Sequence, residues 1–533
     1  MQMSLNPRET KSGRASHGDI TLEAACVLHL LGRKKSALLL VKKLIEKQQL
    51  SVVEDNLELL AKNHLSFALL CLNELAGSDH EGLERCWAAI SRGTSGRLME
   101  PELLQARLQH IEGPGNADAF LSETGADLCY VLAVSLPQDA TGYSMRTQSV
   151  VPALQDHGLT VHCLTRPGFP WHRGLSGPAE PVQIGPVTYH RSGNEAHRIP
   201  DEFASFYAAE RELIDRLSEL RPKAVMAASN HQTATPALLA ARRLDLPFIY
   251  DVRGFWEYSR SANDPAWGAS DGYRIACELE TLTVRNSDLV LTLNAAMRDE
   301  LLLRGVAPEK ICLFPNAADP DRFFPRERSR SLSERLQINP DTPVIGYIGS
   351  FNAYEGLEDL LSAGITLSRK GYDFRMILVG SDQGSATGIF DSLRCQAEEA
   401  GISGKVILPG RIPAEDVAEW YSLIDISPLP RRSAEVTRKV PALKPLEAMA
   451  MGKCLVVPDL PPMIEIVQHG HSGMIYRQGC HDSLVETLAI LIKDKDLRQK
   501  LGAEARRWVS QERNWSVASA AAADRIKKLL ATA

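Results

Sequence analysis

From residue 127 onward, apolar strand-like runs alternate with helix-like segments, and this alternation restricts the fold more than any other feature of the chain. DLCYVLAVSLP (127–137), TVHCLTRPG, AVMAASN, PFIYDVRG, DLVLTLN and KICLFPN read as strands. SVVPALQDHG, TATPALLAARRLD and AAMRDELLLRG read as helices between them. Strands interleaved with helices form a mostly parallel sheet covered on both faces. A connector at 318–341 ends this series, and a second begins: PVIGYIGS, FRMILVGS, KVILPGR, DISPLP and KCLVVPD. The expected class is α/β, with two tandem, doubly wound Rossmann-like domains. Ligands of such sheets sit beyond the carboxyl ends of the strands, so two facing domains enclose a cleft.

The residues before 127 have a different texture. LEAACVLHLLGRKKSALLLVKKLIEK and NLELLAKNHLSFALLCLNELAG place apolar residues at helical spacing, with short polar or glycine breaks. The predicted division is a disordered tail at 1–18, an all-helical domain at 19–118 and an acceptor-side Rossmann-like domain at 119–325. A donor-binding domain at 326–510 follows, and a last helix at 511–533 returns to the first Rossmann-like domain. The stretch LLGRKKSALLLVKKLIEK is basic and amphipathic, which admits docking to a membrane surface or a protein partner. Ordinary packing with a solvated lysine face is the alternative.

Composition excludes several classes. A net charge of −6 over 533 residues argues against a general nucleic-acid binder. The ten cysteines include no C-x-x-C pair, which points to reduced thiols rather than a metal or redox site. No run approaches the ~18 apolar residues of a membrane span, and the N-terminus lacks an apolar signal core. The expected location is cytoplasmic, with peripheral contact at the inner membrane face as the variant. No G-x-G-x-x-G follows the first strand of either half and no G-x-x-x-x-G-K-[ST] occurs, which counts against dinucleotide oxidoreductases and P-loop ATPases. GSDQGSATG (380–388) lacks the required spacing and reads as a loop.

LKPLEAMAMGK (443–453) carries the most chemistry. Pro445 suits the first turn of a helix. A helix N-terminus offers unpaired N–H groups to phosphate, Lys444 adds a point charge, and Glu447 one turn in suits sugar hydroxyls. The small residues Ala448, Ala450 and Gly452 let the helix lie close on a sheet. Glu447 as a mere first-turn carboxylate remains the other reading. Gly142, after the first strand, lets backbone approach a ligand, or serves a tight strand-to-helix turn.

KPLEAMAMGKCLVVPDLPPMIEIVQHGHSGMIY resembles the C-terminal signature of family 4 retaining glycosyltransferases. ATGYSMR, FIYDVRGFWE, DLVLTLN, KICLFPNAADPDRF, VIGYIGSFNAYEGL, GRIPAEDVAEWYSLIDISPLP and RRWVSQERNW match the family's other landmarks in order, over roughly residues 127–525. The resemblance implies the GT-B architecture, a nucleoside diphosphate sugar as donor substrate, and a glycan or lipid-linked acceptor. It implies no cofactor and no metal. Members resembling this chain act in exopolysaccharide or capsule synthesis.

Carried onto this chain, the resemblance assigns Gly142, Tyr143, Gly349, Ser350, Arg411, Arg438, Lys439, Leu443, Lys444 and Glu447 to the donor. Asp251, Lys444 and Glu447 take catalytic roles, and Arg146, Arg253 and Glu257 face the acceptor. Three departures stand out. The family's first glutamate, eight positions before Glu447, is Lys439 here. Its usual arginine and lysine after the first strand of the second domain are Ser350 and Glu355. One of Arg431, Arg432, Arg438, Lys439 or Lys444 is expected to supply the missing charge. Asp251 occupies a position that often bears a histidine; it would orient an acceptor hydroxyl or stabilise an oxocarbenium ion, or else pair with Arg253. His231 reads as structural. No nucleophile like that of the glycosidases, whose carboxylates stand about 5 Å apart, is evident, so a front-face route is implied. The alternative function is a catalytically impaired scaffold that binds partners through its helical domain.

Overall fold

The computed structural model describes residues 125–193, 202–382 and 388–532 throughout, with helical stretches between residues 25 and 111. The expected tail at 1–18 and residues 383–387 of the glycine-rich loop lie outside the described residues.

Two sheets form as the alternation requires. The first contains β1 (Leu128–Leu132), β2 (Val161–Thr165), β3 (Val182–Ile184), β4 (Val187–His190), β5 (Ala224–Ala228), β6 (Phe248–Val252), β7 (Leu289–Thr292) and β8 (Ile311–Leu313). Their order is β3-β4-β2-β1-β5-β6-β7-β8, parallel except for the β3–β4 pair. The second contains β9 (Val344–Ile348), β10 (Arg375–Val379), β11 (Val406–Gly410), β12 (Ile426–Pro428), β13 (Cys454–Pro458) and β14 (Met474–Tyr476), in the order β11-β10-β9-β12-β13-β14. Each sheet starts in its middle, winds to one edge and returns beside its first strand. The switch points are therefore β1/β5 and β9/β12, where open sheets leave a crevice.

Three strands have no counterpart in the sequence reading: β3, β4 and β14. Each has three or four residues, and β3 is partly exposed at the sheet edge. The β3–β4 turn is made by Gly185 at φ +55°, a left-handed conformation that suits glycine.

Helices cover both faces of the first sheet. Val131, Leu217, Leu238 and Tyr250 pack on one side. Tyr130, Leu154, Met226 and Phe314 pack on the other, and there Ala522, Ala523 and Ile526 of the final helix, Trp515–Thr532, insert. The helical region has its own core of Val41, Leu57, Trp87 and Leu104, to which Phe206, Leu239 and Leu279 of the first sheet domain contribute. A buried ion pair, Arg107 Nη2 to Glu210 Oε1 at 2.5 Å, joins the two parts. Among the described residues no helix is long and apolar enough to cross a membrane.

Candidate functional site

A cavity of about 400 Å³ lies between the carboxyl ends of the two sheets. Thr141, Gly142 and Met145 line it from the first domain; Gly349, Ser350, Glu355, Arg411, Arg431, Leu443, Lys444 and Glu447 line it from the second. Arg322, from the segment joining the domains, completes the wall.

The helix Lys444–Ala450 starts at this wall, with Pro445 in its first turn. Ala448, Met449 and Ala450 are fully buried in the core of the second domain, so the small residues do seat the helix closely. Lys444 and Glu447 are three residues apart and share the face that meets the cavity. Lys444 Nζ donates to the Tyr347 hydroxyl at 2.6 Å and lies 3.7 Å from Glu355 Oε1. It reaches there only because position 349 is glycine. A Cβ on Gly349 would stand 2.0 Å from Lys444 Cε.

Glu355 has a purpose that its place in the sequence did not disclose. Gly356 adopts φ +73°, and a Cβ there would meet the Pro430 carbonyl oxygen at 2.0 Å. This tight turn presses Glu355 against Arg431, whose Nη2 and Nε donate to the two carboxylate oxygens at 3.0 and 3.3 Å. Burial raises the Glu355 carboxyl; the charges of Arg431 and Lys444, with hydrogen bonds from Arg431 and Tyr347, outweigh it and bring the group down to about 2. Glu355 is thus the anchor of two cavity cations.

Glu447 differs. Half-buried, it accepts no side-chain hydrogen bond from the described residues, and burial pushes its carboxyl up to about 7 against the pull of Arg322 and Lys444. The cavity holds four cations (Arg322, Arg411, Arg431, Lys444) against the carboxylates Glu355 and Glu447. That excess positive charge suits a diphosphate, and Glu447 is the carboxylate left for hydroxyl groups.

Several expected site residues sit elsewhere. Asp251 is fully buried and does not line the cavity. It accepts from the Tyr130 hydroxyl and from Arg253 Nε at 2.8 Å, with Arg146 Nη2 3.9 Å away. Burial raises its carboxyl, but Arg253 and Arg146 hold it below the ordinary carboxylate value. Asp251 and Arg253 are two apart at a strand end, which puts them on one side and makes pairing the natural outcome. Arg253 also donates to the Tyr143 carbonyl at 2.7 Å and Thr147 Oγ1 at 2.9 Å. Arg146 holds the Phe314 carbonyl and Asn316 Oδ1, each at 2.9 Å, under Trp515. Glu257 is buried against Arg304 at 2.7 Å. Arg146, Arg253 and Glu257, expected at the acceptor, are therefore internal struts. Tyr143 shapes the wall from behind, its hydroxyl accepting from the Ala133 N–H at 3.1 Å.

Of the candidate compensating cations, Arg431 and Lys444 line the cavity. Arg432 pairs outward with Asp359 and Glu358, and Arg438 with Glu435. Lys439 crosses to the first domain and donates to Glu300 Oε2 at 2.8 Å. Arg322 and Arg411 add to them. Arg322 lay unread in ADPDRF (318–323), where a lone arginine in a connector carries no spacing signal. His231 is buried and its backbone N–H donates to Glu280 Oε2 at 2.8 Å, a structural position.

Comparison with known proteins agrees with this geometry. Residues 329–508 match the family described as glycosyl transferases group 1, and residues 141–317 match the glycosyl transferase 4-like domain. The chain is 23% identical over 428 residues to the D-inositol 3-phosphate glycosyltransferase of Nocardia farcinica, covering 78% of this chain and 86% of that one. The fold superimposes on sucrose-phosphate synthase of Thermosynechococcus elongatus with a TM-score of 0.62 at 17% identity, over 76% of this chain and all of the other. It superimposes on Anabaena HepE in complex with UDP-glucose with a TM-score of 0.56 at 16% identity, again over 76% of this chain and all of the other.

Proposed function

The chain belongs to the GT4-type glycosyltransferases of GT-B fold, and from that premise we propose that it moves a sugar from a nucleoside diphosphate sugar to a glycan or lipid-linked acceptor with retention of configuration. The proposal includes metal independence, a cytoplasmic setting at the inner membrane face, and a role in cell-surface polysaccharide synthesis. The observation that carries it is the cavity itself: four cations surround one uncommitted carboxylate at the switch points of two sheets.

Each wall residue then has a task. Glu447 accepts hydrogen bonds from the ribose hydroxyls. Lys444 and Arg411 meet the diphosphate, and Arg431, fixed by Glu355, faces the charge that grows as the glycosidic bond breaks. The anomeric carbon loses its bond to the phosphate oxygen and gains one to the acceptor oxygen on the same face. The acceptor proton passes to the departing phosphate. Positioning and charge neutralisation supply the catalysis, with no enzyme nucleophile. Asp251, enclosed by Tyr130 and Arg253, takes the part of a strut that sets the first-domain wall.

The test is titration with a panel of nucleotide sugars and nucleoside diphosphates, with and without chelator, beside Glu447→Ala. Saturable binding of one nucleotide class, indifferent to chelator and weakened at least tenfold in the variant, is expected. NMR of the product should show the donor's anomeric configuration; an inverted centre overturns retention. Binding without hydrolysis or transfer would favour the scaffold reading.

A further inference from the structure

A second cavity, of about 420 Å³, opens on the second domain. Its walls are the helix Pro461–Ile464 with the turn that follows, and the last turns of the helix Lys495–Glu512. The helix Pro461–Ile464 follows β13, so this cavity stands at the carboxyl edge of the second sheet, as the donor cavity does. Trp508 is the one aromatic residue of the wall. It is half-buried and packed on the second-domain core, with the Arg513 guanidinium 5.4 Å from its ring centre. Ile464, 51% exposed, adds apolar surface beside it. Gln468, Gln511 and Glu512 stand at the exposed rim, and their side chains form no hydrogen bond or ion pair among the described residues.

The charge of this cavity is opposite in kind to that of the donor cavity. Arg507 pairs with Glu504, which also stands 3.7 Å from His471 Nε2. Arg513 lies 3.6 Å from Glu465 Oε1. Each guanidinium is thus matched by a carboxylate, and Glu512 adds a negative charge that no cation answers. Such a wall repels phosphate. Among the described residues no three acidic, histidine or cysteine side chains converge as metal ligands. One indole, with no second ring to face it, makes no cage for an ammonium group. What the cavity offers is a flat apolar ring beside carboxamides and a carboxylate, in a volume within the ~300–1,000 Å³ of small-ligand sites. The C–H face of a pyranose is apolar and stacks on such a ring. Its hydroxyls donate to the carboxylate and exchange hydrogen bonds with the carboxamides. Glu465 and Ile466 also wall a narrow gap at the domain junction, and Ala442 is common to that gap and the donor cavity. The two cavities therefore neighbour one another across a single gap.

We propose that the Trp508 cavity binds a neutral sugar residue of a glycan away from the reacting centre, giving the protein a second hold on a saccharide chain. Trp508 stacks on the pyranose, and Gln468, Gln511 and Glu512 take its hydroxyls. The site needs no donor to fill it. That the chain held here is the acceptor or product of transfer rests on the glycosyl-transfer reading above.

The full chain, without nucleotide, is titrated calorimetrically with maltotriose, cellotriose, mannotriose and galactotriose, and with tetramethylammonium and inorganic phosphate as charged probes. The titrations are repeated on Trp508→Ala, Gln511→Ala and Glu512→Ala. Saturable binding of at least one trisaccharide is expected, together with a change in tryptophan fluorescence. Affinity should fall about tenfold in Trp508→Ala and about threefold in each rim variant, while the nucleotide Kd, measured separately, changes less than about twofold. Gln511 and Glu512 touch nothing in the fold, so their variants should melt with the parent. They decide the matter if Trp508→Ala melts early. Failure of all four trisaccharides to bind overturns the proposal, as does binding that keeps its full affinity in Gln511→Ala and Glu512→Ala. Trp508-dependent binding of tetramethylammonium or phosphate, tighter than that of any trisaccharide, overturns a sugar in favour of an ion. Trisaccharide binding in a chain that takes no nucleotide would sink the transferase reading alone and leave the saccharide site standing.

Discussion

In the proposed donor pose Glu447 accepts hydrogen bonds from two hydroxyls, yet its cavity favours the protonated carboxyl. Its carboxyl rises from the ordinary 4.5 to about 7. Donor affinity is expected to climb with pH and level off above about 7, and calorimetry in buffers of different ionisation enthalpy should show proton release near pH 6.5. Glu447→Gln should flatten that profile. The same shift has a stability sign. The folded pKa is the higher one, so the group's contribution is full below about 4.5 and is lost as pH rises toward 7. Above pH 7 the glutamine variant should melt no lower than the parent, although its nucleotide binding is weaker. Gly349 gives a complementary prediction. A Cβ there collides with the far end of Lys444, a flexible chain that can swing aside. Gly349 also lies at φ +157°, a backbone conformation that L residues rarely adopt, so Gly349→Ala should lower the melting temperature as well as cost about tenfold in nucleotide Kd, since the displaced ammonium leaves the diphosphate seat. These residues were legible for a physical reason. Lys444, Pro445 and Glu447 are local, so their spacing alone puts them on one helical face. Glu355 was not legible, because its partner Arg431 is distant in sequence and a tight glycine turn brings the two together.

At the level of elements, the helix Glu435–Lys439 shows how the same spacing can mislead. Counting back from Glu447 reaches Lys439, and this placed it at the donor. The helix instead leans on the first domain, where Lys439, Glu300 and Arg304 form a chain with contacts of 2.8 and 3.0 Å, and Arg304 continues to Glu257 at 2.7 Å. Burial raises the Glu300 carboxyl, but hydrogen bonds from Lys439, Tyr258 and Arg304 bring it down to about 2. Lys439 is thus an interdomain strap. Lys439→Ala should leave the nucleotide Kd within threefold and cost about 1 kcal/mol of stability, because Glu300 keeps Arg304 and Tyr258. Turnover should fall further than binding, as the two domains hold their relative position less firmly; small-angle scattering should report a larger radius of gyration. A wild-type radius together with a tenfold weaker nucleotide Kd would return Lys439 to the donor site. The strands show the same divide. Five-residue apolar runs such as β1 and β6 were read directly, while β3, β4 and β14 needed their neighbours to define them.

Across the whole molecule, the last helix ties the end of the chain to its first sheet. The chain leaves the second domain at Arg513, whose carbonyl accepts from the Ala318 N–H at 2.9 Å, and crosses to the first. Ala522, Ala523 and Ile526 then enter the core beside Tyr130 and Phe314. Trp515 covers the Arg146 guanidinium at 5.3 Å, and Arg146 holds the carbonyls that lead into the domain junction. Removing residues 515–533 would uncover that apolar face and that arginine together. The apolar loss alone is about 4 kcal/mol, and it falls on the first domain. The cations of the donor cavity belong to the second domain and the connector, so they do not depend on this helix. The truncated protein should show its first-domain melting transition shifted down, the second-domain transition in place, and a nucleotide Kd within a few-fold of the parent. A single transition that moves as a whole would mean that the two sheets unfold as one cooperative unit, and nucleotide affinity should then fall with it.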